Sequence, residues 1–162
     1  MELLPILQSL VLLMLANGSP VVAKRCFGAR FAMPIDAGVI FPDGQPVLGP
    51  SKTFRGVIVS LLATAACAPI VGVSLETGTL VASVAMAGDL ISSFIKRRLK
   101  LPPSSQALGL DQVPESLLPL LAARHALSLT AIDVVLTVAI FFIGGILLSR
   151  LFYRVGLRDR PY

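Results

Sequence analysis

An acidic residue inside a long apolar run is the first feature of this sequence that suggests chemistry. Asp89 is followed at helical spacing by Ser92, Ser93 and Lys96, so the four side chains share one face of a helix. A second acid, Asp111, follows a basic cluster. An ionised Asp in an apolar span costs roughly 2.5–3.5 kcal/mol, so it normally pairs with a cation, faces water or marks a functional site. Two interpretations stay open: an Asp–Lys pair within a helix bundle, or a metal or phosphate site at the membrane surface.

The composition is typical of a membrane protein. Of 162 residues, 55% are hydrophobic and 14% charged, whereas soluble domains carry about 25% charged residues. The length suits a single domain covering residues 1–162. The formal net charge is +5, but the basic residues flank apolar spans and have little aromatic interleaving. This pattern predicts attraction to anionic lipid and no binding of nucleic acid.

Five apolar stretches predict an all-α integral membrane protein, a bundle of about five transmembrane helices with cytoplasmic loops forming the site. The predicted spans are Leu3–Ala23, Gly56–Leu75, Thr79–Ile95, Val113–Leu129 and Ala131–Leu151. Polar residues at Asn17–Pro20 interrupt the apolar run of the first span, which we still expect to be one transmembrane helix. We expect a kink of the second span at Pro69. The fourth stretch is the most polar, which predicts a tilted or partly interfacial segment.

The basic residues predict the orientation of these spans. If all five stretches cross, Arg124 lies on one side and the other 13 of the 14 basic residues lie on the opposite side. The positive-inside rule then gives a multi-pass protein of the cell membrane with a cytoplasmic C-terminus. Lys52, Asp111 and the Asp89 end of the third span fall on this same cytoplasmic side.

The long connection between the first two spans ends in a segment suited to phosphate. Residues 49–56 read GPSKTFRG, so Lys52, Thr53 and Arg55 stand just before a helix. The free backbone N–H groups of a helix N-terminus favour phosphate, and Lys and Arg add positive charge. The spacing differs from that of a P-loop. A phosphate site and a capped helix start therefore both remain open.

Several motifs together resemble the CDP-archaeol synthases, small integral-membrane relatives of the phosphatidate cytidylyltransferases. The matching stretches are Asn17–Pro20, Pro34–Gly38, Gly49–Gly56, Gly88–Arg98, Asp111–Gln112 and the tail Tyr153–Tyr162. They cover most of the predicted cytoplasmic side in the order that the family shows.

The resemblance implies a single transmembrane cytidylyltransferase domain that uses CTP and Mg²⁺. Its implied reaction transfers a cytidylyl group to an isoprenoid (archaetidate-like) glycerol phosphate lipid in the bilayer, giving a CDP-lipid and pyrophosphate. Asp89 and Asp111 are the expected metal ligands, and together with Lys96 they are the expected catalytic residues. The expected CTP-binding residues are Lys52, Thr53, Arg55, Arg97 and Ser93. The oligomeric state is left open.

The residues also leave two other functions open. A small ion transporter would use Asp89 as an ion site, but the polar residues gather at one membrane face and no inverted repeat is visible. A CTP-dependent polyprenol or lipid kinase would need a similar nucleotide site at the membrane surface. The reaction product separates these alternatives, because only a cytidylyltransferase leaves cytidine on the lipid.

Overall fold

A computed structural model describes residues 3–102, 105, 107 and 109–154, with side chains through residue 149. The α-helices in this part of the chain are α1 (Leu3–Phe27), α2 (Phe54–Cys67), α3 (Leu75–Arg98), α4 (Gln112–Ala122) and α5 (Ala131–Arg154). The predicted all-α bundle is therefore confirmed. Residues 155–162, which hold most of the family-like tail, lie outside the described residues.

Four segments are long and apolar enough to cross a membrane. They are α1, α2 with the 3-10 turn that extends it to Val71, α3, and α5 as far as Ser149. The fourth predicted span differs, because α4 has only 11 residues, about 16 Å of helix against a hydrocarbon core of about 30 Å. Turns at residues 123–128 follow α4 and lead to α5.

The two ends of the bundle have different characters. At one end the start of α1, the α2–α3 turn and the α4–α5 turn line a shallow cavity, with Gln8, Ser74 and Leu127 among its residues. The opposite end holds Lys52, Asp89, Lys96 and Asp111, and we call it the charged end. The segment from α4 to α5 thus runs from the charged end to the opposite end of the bundle.

The first span is one helix, as predicted, in spite of its polar residues at Asn17–Pro20. α1 continues through Asn17 and Pro20, and the Asn17 amide donates to the Leu13 carbonyl at 3.0 Å. Transmembrane helices tolerate such residues because side chains and neighbouring helices satisfy the freed backbone groups. At Pro69 the predicted change does occur: α2 ends at Cys67 and a 3-10 turn follows.

The third helix begins earlier than its apolar pattern predicts. Ser74 is its N-cap and accepts the Thr77 N–H at 3.1 Å, so the helix starts at Leu75 instead of Thr79. Side-chain capping and the acidic Glu76 in the first turn stabilise these polar residues in helical form.

Close contact between α3 and α4 brings the chain around Asp111 near Asp89. A Cβ added to Gly88 would lie 2.5 Å from the Pro114 carbonyl oxygen and 3.0 Å from the Glu115 nitrogen. Only glycine permits this approach, since real Cβ atoms do not come so near to backbone. The start of α4 therefore rests directly on α3, one residue before Asp89.

Candidate active site

The predicted polar face of α3 points into the protein. Ser92, Ser93 and Lys96 are all buried, and Asp89 is half-buried at the edge of the same face. The Ser92 hydroxyl donates to the Gly88 carbonyl at 2.8 Å, which binds it to its own helix. The helical spacing of these residues thus predicted their common surroundings correctly.

Asp89 pairs with Lys52 from the long loop. Lys52 Nζ lies 2.6 Å from each Asp89 carboxylate oxygen. The alternative that Asp89 pairs with Lys96 is therefore wrong. Two helical turns, about 10.5 Å of rise, separate Asp89 from Lys96 along α3, and Lys52 reaches the carboxylate from across the site.

Lys96 forms a second ion pair, with Asp111. Its Nζ lies 2.6 Å from Asp111 Oδ1 and also donates to the Ser105 carbonyl at 3.1 Å. The other oxygen of Asp111 accepts the Ala107 N–H at 2.9 Å. This pair joins the end of α3 to the segment just before α4.

A compact loop presents Lys52 to the site. Asp36 organises it, since one of its oxygens accepts the N–H groups of Leu48 and Gly49, both at 2.8 Å. Partial burial raises the pKa of Asp36, but hydrogen bonds from the Gly49, Leu48 and Gly38 backbones outweigh it and bring the pKa below 3.8. The Lys52 carbonyl in turn accepts the Ile35 N–H at 2.9 Å. The loop is therefore fixed by its own backbone.

Two of the predicted CTP-binding residues, Thr53 and Arg55, hold the start of α2. Thr53 is the N-cap of α2, and its hydroxyl oxygen accepts the Gly56 N–H at 3.2 Å. The Arg55 guanidinium donates to the carbonyls of Gly28 and Arg30 beyond the end of α1. These contacts brace the start of α2 next to Lys52, and they are the capped helix start that the sequence left open.

Arg97 is the buried cation of the site. Its residue is 2% exposed, and its Nη2 donates to the Pro102 carbonyl at 3.0 Å. Its Nε and Nη1 have no hydrogen-bond partner among the residues that the structure describes. A buried guanidinium with unused donors is costly, so an anion at this point would be stabilising. Ser93, 2% exposed, lies on the inward face of the same helix.

Glu115 is a residue at the site that the sequence did not single out. Its carboxyl interacts electrostatically with the members of both ion pairs, which are Asp89, Lys52, Asp111 and Lys96. Glu115 therefore belongs to the same charged end as the two pairs. The sequence presented Glu115 only as a polar residue in an apolar stretch. Its spacing of four residues from Asp111 would place both on one face of a helix that began there.

The carboxylates suit a metal that is shared with a substrate. Within the described residues, no three or more His, Cys, Asp or Glu side chains are grouped closely enough to hold a metal alone. Mg²⁺ is usually held by one or two carboxylates together with substrate phosphates. Asp89 and Asp111 fit that arrangement, and they do not form a metal cage made of protein ligands only.

Comparison with known proteins identifies the family of this chain. The model of the CarS-like CDP-archaeol synthase family matches residues 3–162. The CDP-archaeol synthase of Thermofilum pendens is 34% identical, over 91% of this chain and 75% of its own length. That of Aeropyrum pernix is 32% identical, over 97% of this chain and 92% of its own length.

A solved structure is similar as well. It is described as an intramembrane enzyme for archaeal membrane lipids biosynthesis, and it superposes with a TM-score of 0.70 at 27% identity. The match covers 86% of this chain and 91% of the other. The chain therefore belongs to the CDP-archaeol synthase family, and it is a membrane enzyme that transfers a cytidylyl group from CTP to a lipid phosphate.

Proposed function

We propose that the lipid acceptor is an isoprenoid (archaetidate-like) glycerol phosphate and that the two Lys–Asp pairs form the active site. The observation that carries this proposal is the charged end itself, where Lys52–Asp89 and Lys96–Asp111 lie at the same end of the bundle in a chain of this family. The relatives are named for CDP-archaeol, which supports an isoprenoid acceptor. The products are a CDP-lipid and pyrophosphate.

The proposed reaction is an in-line displacement at phosphorus. An oxygen of the lipid phosphate forms a bond to the α-phosphorus of CTP, and the bond from that phosphorus to the oxygen bridging to the β-phosphate breaks. Negative charge increases on the pyrophosphate that leaves. Fixed cations stabilise such a transition state when they are already in position.

The acidic residues have the role of holding Mg²⁺ with the CTP phosphates. Asp89 and Asp111 supply the carboxylates, and the donor set described above fits this use. When bound, Mg²⁺ neutralises charge on phosphate oxygens. Asp89 and Asp111 would hold the metal in place of their lysine partners, and Lys52 and Lys96 would then be available to bind phosphate.

The basic residues have the role of binding phosphate. Lys52 and Lys96 contribute ammonium groups, and the buried Arg97 contributes the two unused guanidinium nitrogens. Thr53 and Arg55 contribute indirectly, by holding the start of α2 next to Lys52. Ser93 contributes a hydroxyl on the inward face of α3.

The proposed orientation puts the charged end and the C-terminus in the cytoplasm. This orientation gives the site access to CTP, and it follows from the distribution of basic residues. A cysteine placed at the exposed Glu76, in a variant lacking Cys26 and Cys67, should react with an impermeant thiol reagent on intact cells. A cysteine at Lys100 should react only after permeabilisation. The reverse labelling would contradict the orientation.

A product assay tests the function. Purified enzyme is given CTP, Mg²⁺ and two acceptors in equal amounts, an isoprenoid ether glycerol phosphate and a diacyl glycerol phosphate, and the lipids are analysed by mass spectrometry. We expect cytidine monophosphate to be added mainly to the isoprenoid lipid. Addition of a single phosphate would instead identify a kinase, and preference for the diacyl lipid would contradict the proposed acceptor.

A further inference from the structure

Arg98 occupies an aromatic and acidic pocket beyond the predicted site residues. Its guanidinium carbon lies 4.2 Å from the Phe41 ring centroid and 4.9 Å from that of Phe94. Its Nη1 is 3.2 Å from Asp43 Oδ1, and its Nη2 donates to the Pro46 carbonyl at 2.6 Å. Cation–π contacts and a charge-assisted hydrogen bond are each stabilising when partly desolvated. Arg98 therefore holds the loop against the end of α3.

The loop segment that Arg98 contacts is joined by hydrogen bonds to Lys52. The Val47 N–H donates to the Val39 carbonyl at 3.0 Å, which closes a turn around Phe41 and Pro46. Asp36 next to this turn accepts the N–H of Gly49, and the Gly49 carbonyl accepts the Lys52 N–H at 3.2 Å. A displacement of the turn would therefore be transmitted to the backbone of Lys52.

Arg98 and Asp89 lie on the same helix. Nine residues of α3 separate them, a rigid distance of about 13.5 Å. The loop contacts this helix at two points: at Arg98 through its turn, and at Asp89 through Lys52. The first contact thus fixes where the second can form.

We propose that Arg98 is a positioning residue for the reaction, which holds the turn at residues 39–47 on the end of α3 so that Lys52 is set against Asp89. Arg98 ends one of the family-like stretches, but neither the resemblance nor the reaction chemistry gives it a role. The inference rests on the proposed function only in giving Lys52 a role in the reaction. Its structural part, control of Lys52 by Arg98, is independent of activity.

Direct binding of phosphate by Arg98 is the competing explanation. Its Nε and Nη1 lack an acceptor in hydrogen-bonding geometry within the described residues, so the guanidinium has donors in reserve. Two observations argue against this explanation. The guanidinium lies between a loop ring, Phe41, and a ring of α3, Phe94. The Asp43 carboxylate, an anion already in place, lies beside Nη1. The two explanations differ in what happens to Lys52 when Arg98 is changed.

The labelling rate of the Lys52 amine reports whether its ion pair with Asp89 is intact, and the measurement needs no substrate. The chain has four lysines, Lys24, Lys52, Lys96 and Lys100, and an amine-reactive reagent with mass spectrometry reports each one. In Arg98→Gln we expect Lys52 to label several-fold faster, because Asp89 no longer covers its ammonium. Lys96, held by Asp111 on the other side of the site, should keep its rate and serves as the internal control.

Kinetics supply the second readout. Arg98→Gln should raise the KM for CTP about tenfold with a smaller change in kcat, since Lys52 is misplaced and the metal carboxylates remain. Arg98→Lys should recover part of this loss, because an ammonium retains the ring contacts but loses the forked geometry. Lys100→Gln, which removes one exposed positive charge at the same helix end, should change neither readout.

A variant in the loop tests the same contact without changing α3, and so it controls for damage to that helix. Phe41→Leu removes one ring under Arg98 and should reproduce both effects more weakly, whereas Phe31→Leu alters a ring that is 77% exposed and should reproduce neither. Unchanged Lys52 labelling in Arg98→Gln would overturn the proposal, and with a raised KM it would indicate direct phosphate binding. Equal increases at Lys52 and Lys96 would also overturn it, since they indicate general loosening. If Lys52→Met proves fully active while the labelling result holds, the role assigned to Lys52 fails and the positioning by Arg98 stands.

Discussion

The two Lys–Asp pairs have the same 2.6 Å separation but are built in different ways. Lys52–Asp89 spans 37 residues and depends on a loop to bring its lysine to α3. Lys96–Asp111 connects the end of α3 to the chain entering α4, and the Ser105 carbonyl and Ala107 N–H hold it from the same segment. The first pair is a contact between loop and helix, and the second is part of the helix packing.

The two pairs also differ in how exposed their side chains are. The side chains of Lys52 and Asp89 are 20% and 25% exposed, whereas those of Lys96 and Asp111 are 9% and 20% exposed. A pair that is more open and held by a loop can separate without disturbing the bundle. We infer that Lys52 is the adjustable cation of the site and Lys96 the fixed one.

The largest effects are expected from the carboxylates. Asp89→Asn and Asp111→Asn should each lower cytidylyl transfer by roughly 100- to 1,000-fold, because Asn keeps the shape but not the charge that a divalent cation needs. The measurement is CDP-lipid formation alongside Mn²⁺ binding in the presence of CTP.

A double variant separates metal binding from simple charge pairing. In Asp89→Asn with Lys52→Met, both charges of the first pair leave together, so stability should recover. Activity should stay low. Recovery of activity would show that Asp89 serves only to neutralise Lys52.

Two glycine variants test how far the second pair depends on helix packing. Gly88→Ala and Gly78→Ala each place a Cβ 2.5 Å from a neighbour, the Pro114 carbonyl oxygen and the Ala68 Cβ respectively. Each should lower the free energy of unfolding by roughly 1–3 kcal/mol. Only Gly88→Ala should also lower kcat, by about tenfold, because it displaces α4 and with it Asp111.

Gly144→Ala is the matched control, since a Cβ there meets nothing within 4 Å. Thermal unfolding in detergent and kcat are measured for all three variants. Equal loss of kcat in Gly78→Ala and Gly88→Ala would indicate a general effect of stability, and it would contradict a specific link between α4 and the site.

The sequence predicted what depends on local spacing. The shared face of Asp89, Ser93 and Lys96 follows from helical periodicity alone, and the structure confirms that it points inward. The partner of Asp89 did not follow, because Lys52 is 37 positions away in the sequence and lies at the end of the long loop between α1 and α2. No periodicity governs such a loop; its shape comes from the hydrogen bonds around Asp36.

The bounds of the membrane helices were also only partly predictable from the sequence. Apolar content predicted the four segments that are long and apolar enough to cross a membrane, but it did not show that α4 is only 11 residues long. α4 ends at Ala122, where a run of turns begins that the apolar pattern does not predict. The polar residues Asn17–Pro20 have low helix propensity, yet α1 continues through them in its helical surroundings.

The two lysines should differ in a measurable way. Lys52→Met should raise the KM for CTP about tenfold, since a charge-assisted contact contributes roughly 1.5–3 kcal/mol, with little change in Tm. Lys96→Met should lower both activity and Tm, because it leaves Asp111 without its cation inside the α3–α4 packing. Equal shifts in Tm for the two variants would contradict the distinction between an adjustable and a fixed pair.

The smallest effect concerns Asp36, which controls the first pair through the loop. Its pKa in the folded protein lies below 3.8, so the stabilisation from its carboxylate is complete above that pH and is lost only as the pH falls through the lowered value. Between pH 5 and 8 the loop should therefore not respond to pH. Asp36→Asn should raise the KM for CTP only a few-fold, since the amide oxygen still accepts a hydrogen bond. The amide resonances of Leu48 and Gly49, whose N–H groups donate to Asp36, should titrate with a midpoint below 3.8 in the wild type and not at all in Asp36→Asn. A midpoint at or above the ordinary value would mean that these hydrogen bonds do not favour the carboxylate, and the loop would then need another anchor for Lys52.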